Sequence, residues 1–386
     1  MKVALVHYWL VGMRGGEKVL EEVCKLYPNA DIFTHVAIPE NLSETLRAHN
    51  ITETFIAKLP GARKHYQKYL PLMPKALEAL DLTDYDLVIS FEAGPAKGII
   101  VRPDAQHICY VHSPMRYIWD QYHVYRDQAG RLTKLIMPHI AHKMRIWDTT
   151  SAARVDHFIA NSSFVAERIK KFWRRDATVI YPPVDVDAFA QSRPVQVSDF
   201  YLYAGELASY KRPDIAVEAF TKSGRRLVVI GEGSERKELE AAAGPNITFL
   251  GRVSFATLKD YYSRCRALIF PGVEDFGIVP VEVIASGRPV IALGRGGALD
   301  TVTHDMTGVL FEEATPDSLA KALNYFEQNE KNFQIKETSS FAEPFSPFEF
   351  RNKFSNYVST ILEQEKVKRY KSSTRKSGNI NTLRAD

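Results

Sequence analysis

Tyr181-Pro182-Pro183-Val184, followed after a stretch poor in apolar residues (191–198) by Phe200-Tyr201-Leu202-Tyr203-Ala204-Gly205, decides the fold, because here one series of alternating elements stops and a second starts. Upstream, short apolar or β-branched runs at 3–9, 32–38, 87–91, 107–111, 157–161 and 178–181 alternate with amphipathic stretches such as 16–26. Downstream the alternation resumes, with runs at 226–231, 247–251, 267–270, 289–293 and 309–311 and helices expected near 213–221 and 318–328. Such alternation predicts parallel sheets with helical crossovers. The fold class is therefore α/β, two Rossmann-like domains facing across a cleft. The expected divisions are a first domain at 1–183, a linker at 184–199, a second domain at 200–345, a helix at 346–365 packed back on the body, and a basic, disordered tail at 366–386. A length of 386 residues accommodates two cores.

Composition bounds the function. The chain is 45% hydrophobic and 25% charged, and no apolar run approaches the roughly 20 residues of a membrane-spanning helix. The first residues pass straight into a strand pattern without a leader-like apolar core, so a cytoplasmic location is expected. The formal charge of +4 is mild, and no nucleic-acid partner is expected. Much of the excess lies between Lys366 and Lys376, read as a solvated tail, with contact to anionic lipid the alternative. Cys24, Cys109 and Cys265 read as reduced packing thiols.

The chemistry concentrates in Phe270-Pro271-Gly272-Val273-Glu274-Asp275-Phe276-Gly277-Ile278-Val279-Pro280-Val281-Glu282. A buried strand runs into a glycine turn and an apolar helix, and helical rise separates Glu274 from Glu282 by up to about 12 Å. That span fits a sugar at one end and a ribose at the other, with the helix N-terminus between them suited to a diphosphate. Lys211 and Arg212 follow a strand and open a helix at Pro213, placing two cations at the same cleft. Gly15 and Gly16 permit close backbone approach after the first strand, without the full glycine spacing of a nicotinamide-binding unit. Tyr110-Val111-His112-Ser113-Pro114-Met115-Arg116-Tyr117-Ile118-Trp119-Asp120 sets a histidine at a strand end, open to a structural or a functional reading.

The Glu-x7-Glu pattern resembles the signature of the family 4 retaining glycosyltransferases of GT-B fold, and the 110–120 block resembles their bacterial O-antigen and exopolysaccharide mannosyltransferases. The resemblance implies Glu274, His112 and Lys211 as catalytic residues. It implies a donor site of Glu282, Arg212, Gly15, Gly16, Phe276, Gly277, Ile278, Gly296 and Gly297, and an acceptor side shaped by Arg116, Tyr117, Trp119 and Asp120. Arg295-Gly296-Gly297 resembles the family's second glycine loop, with Asp300 where a Glu is usual. Glu206 stands where family members commonly carry an Arg. Asp185-Val186-Asp187 has the spacing of a metal motif but lies in the interdomain connection, and the family resemblance implies catalysis without an essential divalent ion or cofactor.

The implied activity is transfer of a hexose, mannose from GDP-mannose, onto a polyprenyl-diphosphate-linked oligosaccharide in surface polysaccharide synthesis. A UDP-sugar donor, a non-catalytic glycan- or nucleotide-binding role and a sugar-nucleotide epimerase are the alternatives. Two basic, aromatic stretches, 63–77 and 134–147, fit either docking on an anionic membrane or ordinary half-buried helices.

Overall fold

Runs of apolar residues buried on both faces account for the two sheets, each covered by helices on either side. The computed structural model describes residues 1–190, 196–333 and 340–382, the part from 369 onward as backbone only. Parts of the expected linker (191–195), second domain (334–339) and tail (383–386) fall outside the described residues.

The first sheet comprises β1 (Val3–His7), β2 (Asp31–Thr34), β3 (Ile51–Glu53), β4 (Leu87–Glu92), β5 (Gln106–Val111), β6 (His157–Ala160) and β7 (Thr178–Val179) in the order β3-β2-β1-β4-β5-β6-β7. The second comprises β8 (Tyr201–Ala204), β9 (Leu227–Ile230), β10 (Ile247–Gly251), β11 (Leu268–Phe270), β12 (Val290–Leu293) and β13 (Gly308–Phe311) in the order β10-β9-β8-β11-β12-β13. Every strand pairing is parallel, and both orders are doubly wound. The edge strand β3 was not expected: Ile51-Thr52-Glu53 is short and only partly buried, with no apolar run to announce it.

Packing changes hands in the stretch 181–184. Ile180 belongs to the first core, whereas Val184 belongs to the second. Within the expected linker, Val186–Ala190 is helical, and Phe189 packs on Phe255 and Tyr262 of the second domain. The chain then returns: Phe345 closes the second core, while Phe350, Phe354, Val358 and Ile361 of the Pro347–Thr382 helix enter the first. That helix does not stop at 365. Its backbone continues through Thr382, which corrects the expected disordered tail over the described part of that segment. The three cysteines are buried and free.

Candidate active site

Each sheet reverses its strand order once, between β1 and β4 in the first and between β8 and β11 in the second. Crevices at such switch points are where open α/β sheets bind ligands. The loops after β8 and β11 are drawn together because Gly272 has no side chain; a Cβ there would lie 2.7 Å from the Cα of Lys211. Lys211 closes the turn Ser209–Lys211, and its Nζ sits 2.8 Å from Oε1 of Glu274, both groups largely sheltered. The residues expected to hold phosphate and sugar separately are thus paired with each other. Gly277 at φ 91° turns the chain into the Ile278–Ala285 helix, whose first N–H groups lie beside this pair in sequence.

Facing it is the first domain. A Cβ on Gly15 would stand 2.8 Å from Cδ1 of Ile278, so the glycine loop after β1 touches the start of the second-domain helix. A Cβ on Gly16 would meet the Tyr8 hydroxyl at 2.7 Å and Nε2 of His112 at 3.5 Å. Burial pushes the His112 imidazole down to about 4, against a small opposing pull from Asp275, so the ring is neutral at pH 7. Its Nε2 is buried with no hydrogen-bond partner among the described residues, as is Nε2 of the neighbouring His7, so this end of the cleft holds polar atoms that a ligand or water can satisfy.

Several expected site residues are engaged elsewhere. Arg212, at φ 53°, directs its guanidinium onto Asp214 at 2.8–3.1 Å and so serves its own helix start instead of joining Lys211. Phe276 is 4% exposed and packs on Tyr181 and Phe345, so its ring anchors the loop. Gly296 and Gly297 support that same loop. A Cβ on Gly296 would lie 2.6 Å from the Glu274 carbonyl oxygen and one on Gly297 2.3 Å from the Phe276 Cα, while the Gly297 N–H donates to the Glu274 carbonyl at 2.9 Å. Trp119, half-buried, stacks on Phe172 at 4.8 Å and donates its indole N–H to Asp148 at 2.7 Å, both contacts within the first domain. Asp120 accepts from Arg168 at 2.8 Å. Asp185 accepts from the Ala188 N–H at 3.2 Å, a helix-start role. Arg116 and Tyr117 do reach the cleft, lining a cavity of about 420 Å³ with Trp9, Tyr125 and Asp275.

Asp275 went unnoticed in the sequence. It accepts from Arg116 Nε at 2.9 Å and from Arg168 Nη1 at 2.7 Å, both first-domain residues, while its backbone oxygen accepts from the Ser162 hydroxyl. Asp300 adds a second tie, accepting the Ser163 N–H at 3.1 Å and the Tyr181 hydroxyl at 3.1 Å. Two guanidiniums on one sheltered carboxylate fix the Glu274 loop against the first domain. Asp275→Asn removes the carboxylate charge that faces both guanidiniums, and truncating one partner of a desolvated pair of this kind costs about 2–5 kcal/mol. The variant is expected to show a larger radius of gyration in solution scattering, with each domain still folded; an unchanged scattering profile contradicts the tie.

Glu282 is a perturbed acid. Burial raises its carboxyl to about 7, with Lys18 on the facing first-domain helix and the Tyr262 hydroxyl at 3.3 Å opposing the shift and Asp185 adding to it. An acid raised this far is half protonated at neutrality and ionised above it. The family resemblance implies that Glu282 holds the donor ribose, a role in which the ionised carboxylate accepts best from two hydroxyls; on that role donor KM is expected to fall as pH rises from about 6 to 8 and to level off beyond. Glu282→Gln should abolish that dependence; a flat wild-type profile contradicts the assignment.

Two family models match in succession. One described as Glycosyltransferase Family 4 covers residues 13–188, and one described as Glycosyl transferases group 1 covers 186–340. The chain is 24% identical to the O-antigen chain mannosyltransferase C of Escherichia coli, over 73% of this chain and 77% of that protein. It is 28% identical to an uncharacterised glycosyltransferase of Methanocaldococcus jannaschii, over 46% of this chain and 51% of that protein, so the match spans only about half the length of that relative. The crystal structure of Anabaena HepE in complex with UDP superposes with a TM-score of 0.69 over 93% of this chain and 100% of that one, at 16% identity. That likeness is one of fold.

Proposed function

Since the chain belongs to the family 4 glycosyltransferases of GT-B fold, we propose that it moves a hexose, mannose from GDP-mannose, with retention of configuration onto a lipid-linked oligosaccharide in bacterial surface polysaccharide synthesis. The observation that carries this reading is the Lys211–Glu274 pair at the β8 and β11 ends, facing the Gly15–Gly16 loop and the unpartnered Nε2 of His112.

In this scheme the donor diphosphate takes Lys211 from Glu274. Lys211 and the N-terminus of the Ile278–Ala285 helix stabilise the developing phosphate charge, which they do best in a site closed to water. Glu274, released, accepts from the sugar hydroxyls near the anomeric carbon. Neutral His112 presents Nε2 to the sugar from the other side, and Glu282 holds the ribose. The acceptor hydroxyl attacks from the face the leaving group departs, and its proton passes to the leaving phosphate oxygen. Asp275 keeps the loop in register with the acceptor cavity, so the reacting groups meet in one orientation. The relatives named as mannosyltransferases support mannose as the sugar.

The work site is the inner face of the cytoplasmic membrane. No helix among the described residues is long and apolar enough to cross a membrane, and peripheral contact through the basic, aromatic stretches suits a lipid-linked acceptor. The test is nucleoside diphosphate release from a panel of GDP- and UDP-sugars with crude lipid-linked acceptor. Acceptor-stimulated turnover of GDP-mannose is expected. Turnover of a UDP-sugar instead replaces the donor, and nucleotide binding with no turnover of any donor overturns the enzyme in favour of a binding partner.

A further inference from the structure

Beside the acceptor cavity lies a second, larger depression of about 660 Å³, between the segment Tyr66–Leu72 and the helix Arg131–Ala152. Gln67, Leu70 and Tyr117 line both, so the two spaces adjoin through a shared wall. Their chemistry differs. The first ends on Arg116 and Asp275 at the seam of the cleft. The second is walled by Leu132, Ile136, Met137 and Ile140, which recur at helical spacing along one face.

Apolar side chains on this part of the surface stay in solvent: Leu132 is 71% exposed, Leu135 77% and Ile136 43%. Soluble proteins seldom leave such side chains clustered beside a cavity without a ligand or partner. Lys68 lines the same trough, and Lys134 is exposed on the helix beside it. The volume lies within the about 300–1,000 Å³ usual for ligand pockets.

We propose that this trough holds the first part of the hydrocarbon chain of the acceptor, with the diphosphate at the Lys68 end and the glycan in the Arg116–Asp275 cavity. The proposal rests on the lipid-linked acceptor of the preceding reading. A ligand with an anionic head between a polar glycan and an apolar tail matches the surfaces these two adjoining spaces offer, an ionic seam in one and Lys68 with an apolar wall in the other. Seating the chain there would also set which sugar of the glycan reaches the anomeric carbon, so the trough would act as a gauge of acceptor length.

The test needs no donor. Binding of a soluble fluorescent farnesyl diphosphate analogue is compared with competition by inorganic diphosphate, for the full chain and for a Leu132→Asp, Ile136→Asp variant. Both replaced residues are exposed, and an unchanged melting temperature verifies the fold. The wild type is expected to bind the analogue at least tenfold more tightly than diphosphate, and the variant to lose most of that difference. Equal binding of analogue and diphosphate by the wild type, or an unaffected variant, overturns the proposal. So does a variant that loses only its affinity for anionic phospholipid vesicles, which would make the face a membrane-docking surface, or one that only converts a dimer to a monomer. Chain binding by a protein that turns over no donor sinks the transferase reading and leaves the trough standing, whereas turnover without chain discrimination does the reverse.

Discussion

Lys211→Ala and Glu274→Ala are both expected to cut sugar transfer by about 10²–10³-fold, but through different kinetic terms. Lys211 meets Glu274 at 2.8 Å with both side chains mostly shielded from water, so in the ligand-free protein each is the other's counter-charge. Removing Lys211 deletes the cation proposed to receive the diphosphate, so donor KM is expected to rise and kcat to fall together. Removing Glu274 deletes the proposed sugar contact but frees Lys211 from its internal competitor. In Glu274→Ala, kcat therefore collapses while donor KM holds or drops, and the nucleoside diphosphate product binds at least as tightly as in the wild type. Steady-state kinetics with product inhibition separates the two; a Glu274→Ala variant that binds the nucleotide diphosphate more weakly contradicts the exchange of partners.

Lys97→Met is expected to produce the largest loss of stability. Lys97, Glu92 and Asp148 are all fully buried; the Lys97 Nζ lies 3.2 Å from Glu92 and forms a short ion pair with Asp148. Glu92 also accepts the N–H groups of Ala96 and Lys97 at 2.9 Å, and Asp148 the indole N–H groups of Trp119 and Trp173 at 2.7 Å. One cation thus balances two interior carboxylates at the end of β4. Deleting one member of such a group costs about 3–5 kcal/mol, because the remaining charge stays desolvated. Burial already raises the Glu92 carboxyl, with Asp148 adding to the rise and Lys97 opposing it. Without Lys97 it is raised further, so the deficit relative to the wild type should shrink as pH falls and one carboxyl takes a proton, and widen as pH rises. Urea unfolding at several pH values measures this; a pH-independent deficit below about 1 kcal/mol contradicts the triad's role.

The sheets were readable in the sequence because strands covered on both faces must be apolar along their whole length, as Leu202 to Ala204 and Val290 to Leu293 are. β3 escaped because an edge strand needs no such run. The extension of the last helix escaped because its polar, basic sequence beyond 365 carries no apolar face. At the site, the Glu274–Glu282 spacing and the cation at 211 were legible as local patterns. What was not legible is pairing across distance. Asp275 meets Arg168 from 107 residues away, and Trp119 meets Asp148 from 29. An aromatic beside a strand end looks the same in sequence whether its indole faces a ligand or a buried carboxylate. Arg212 shows the local limit as well: its left-handed backbone turns the guanidinium onto Asp214, two residues on, and only the backbone angle distinguishes that from a phosphate ligand.

The central claim is that the Glu274–Lys211 cleft passes a sugar from a nucleotide to a lipid-linked acceptor. It is tested most directly by following labelled sugar from GDP-mannose into the organic-extractable fraction, with wild-type protein and Glu274→Ala side by side. The account predicts label in a lipid-linked product, with the anomeric configuration of the donor retained, for the wild type and almost none for the variant. Label released only into water, or equal incorporation by both proteins, would contradict it.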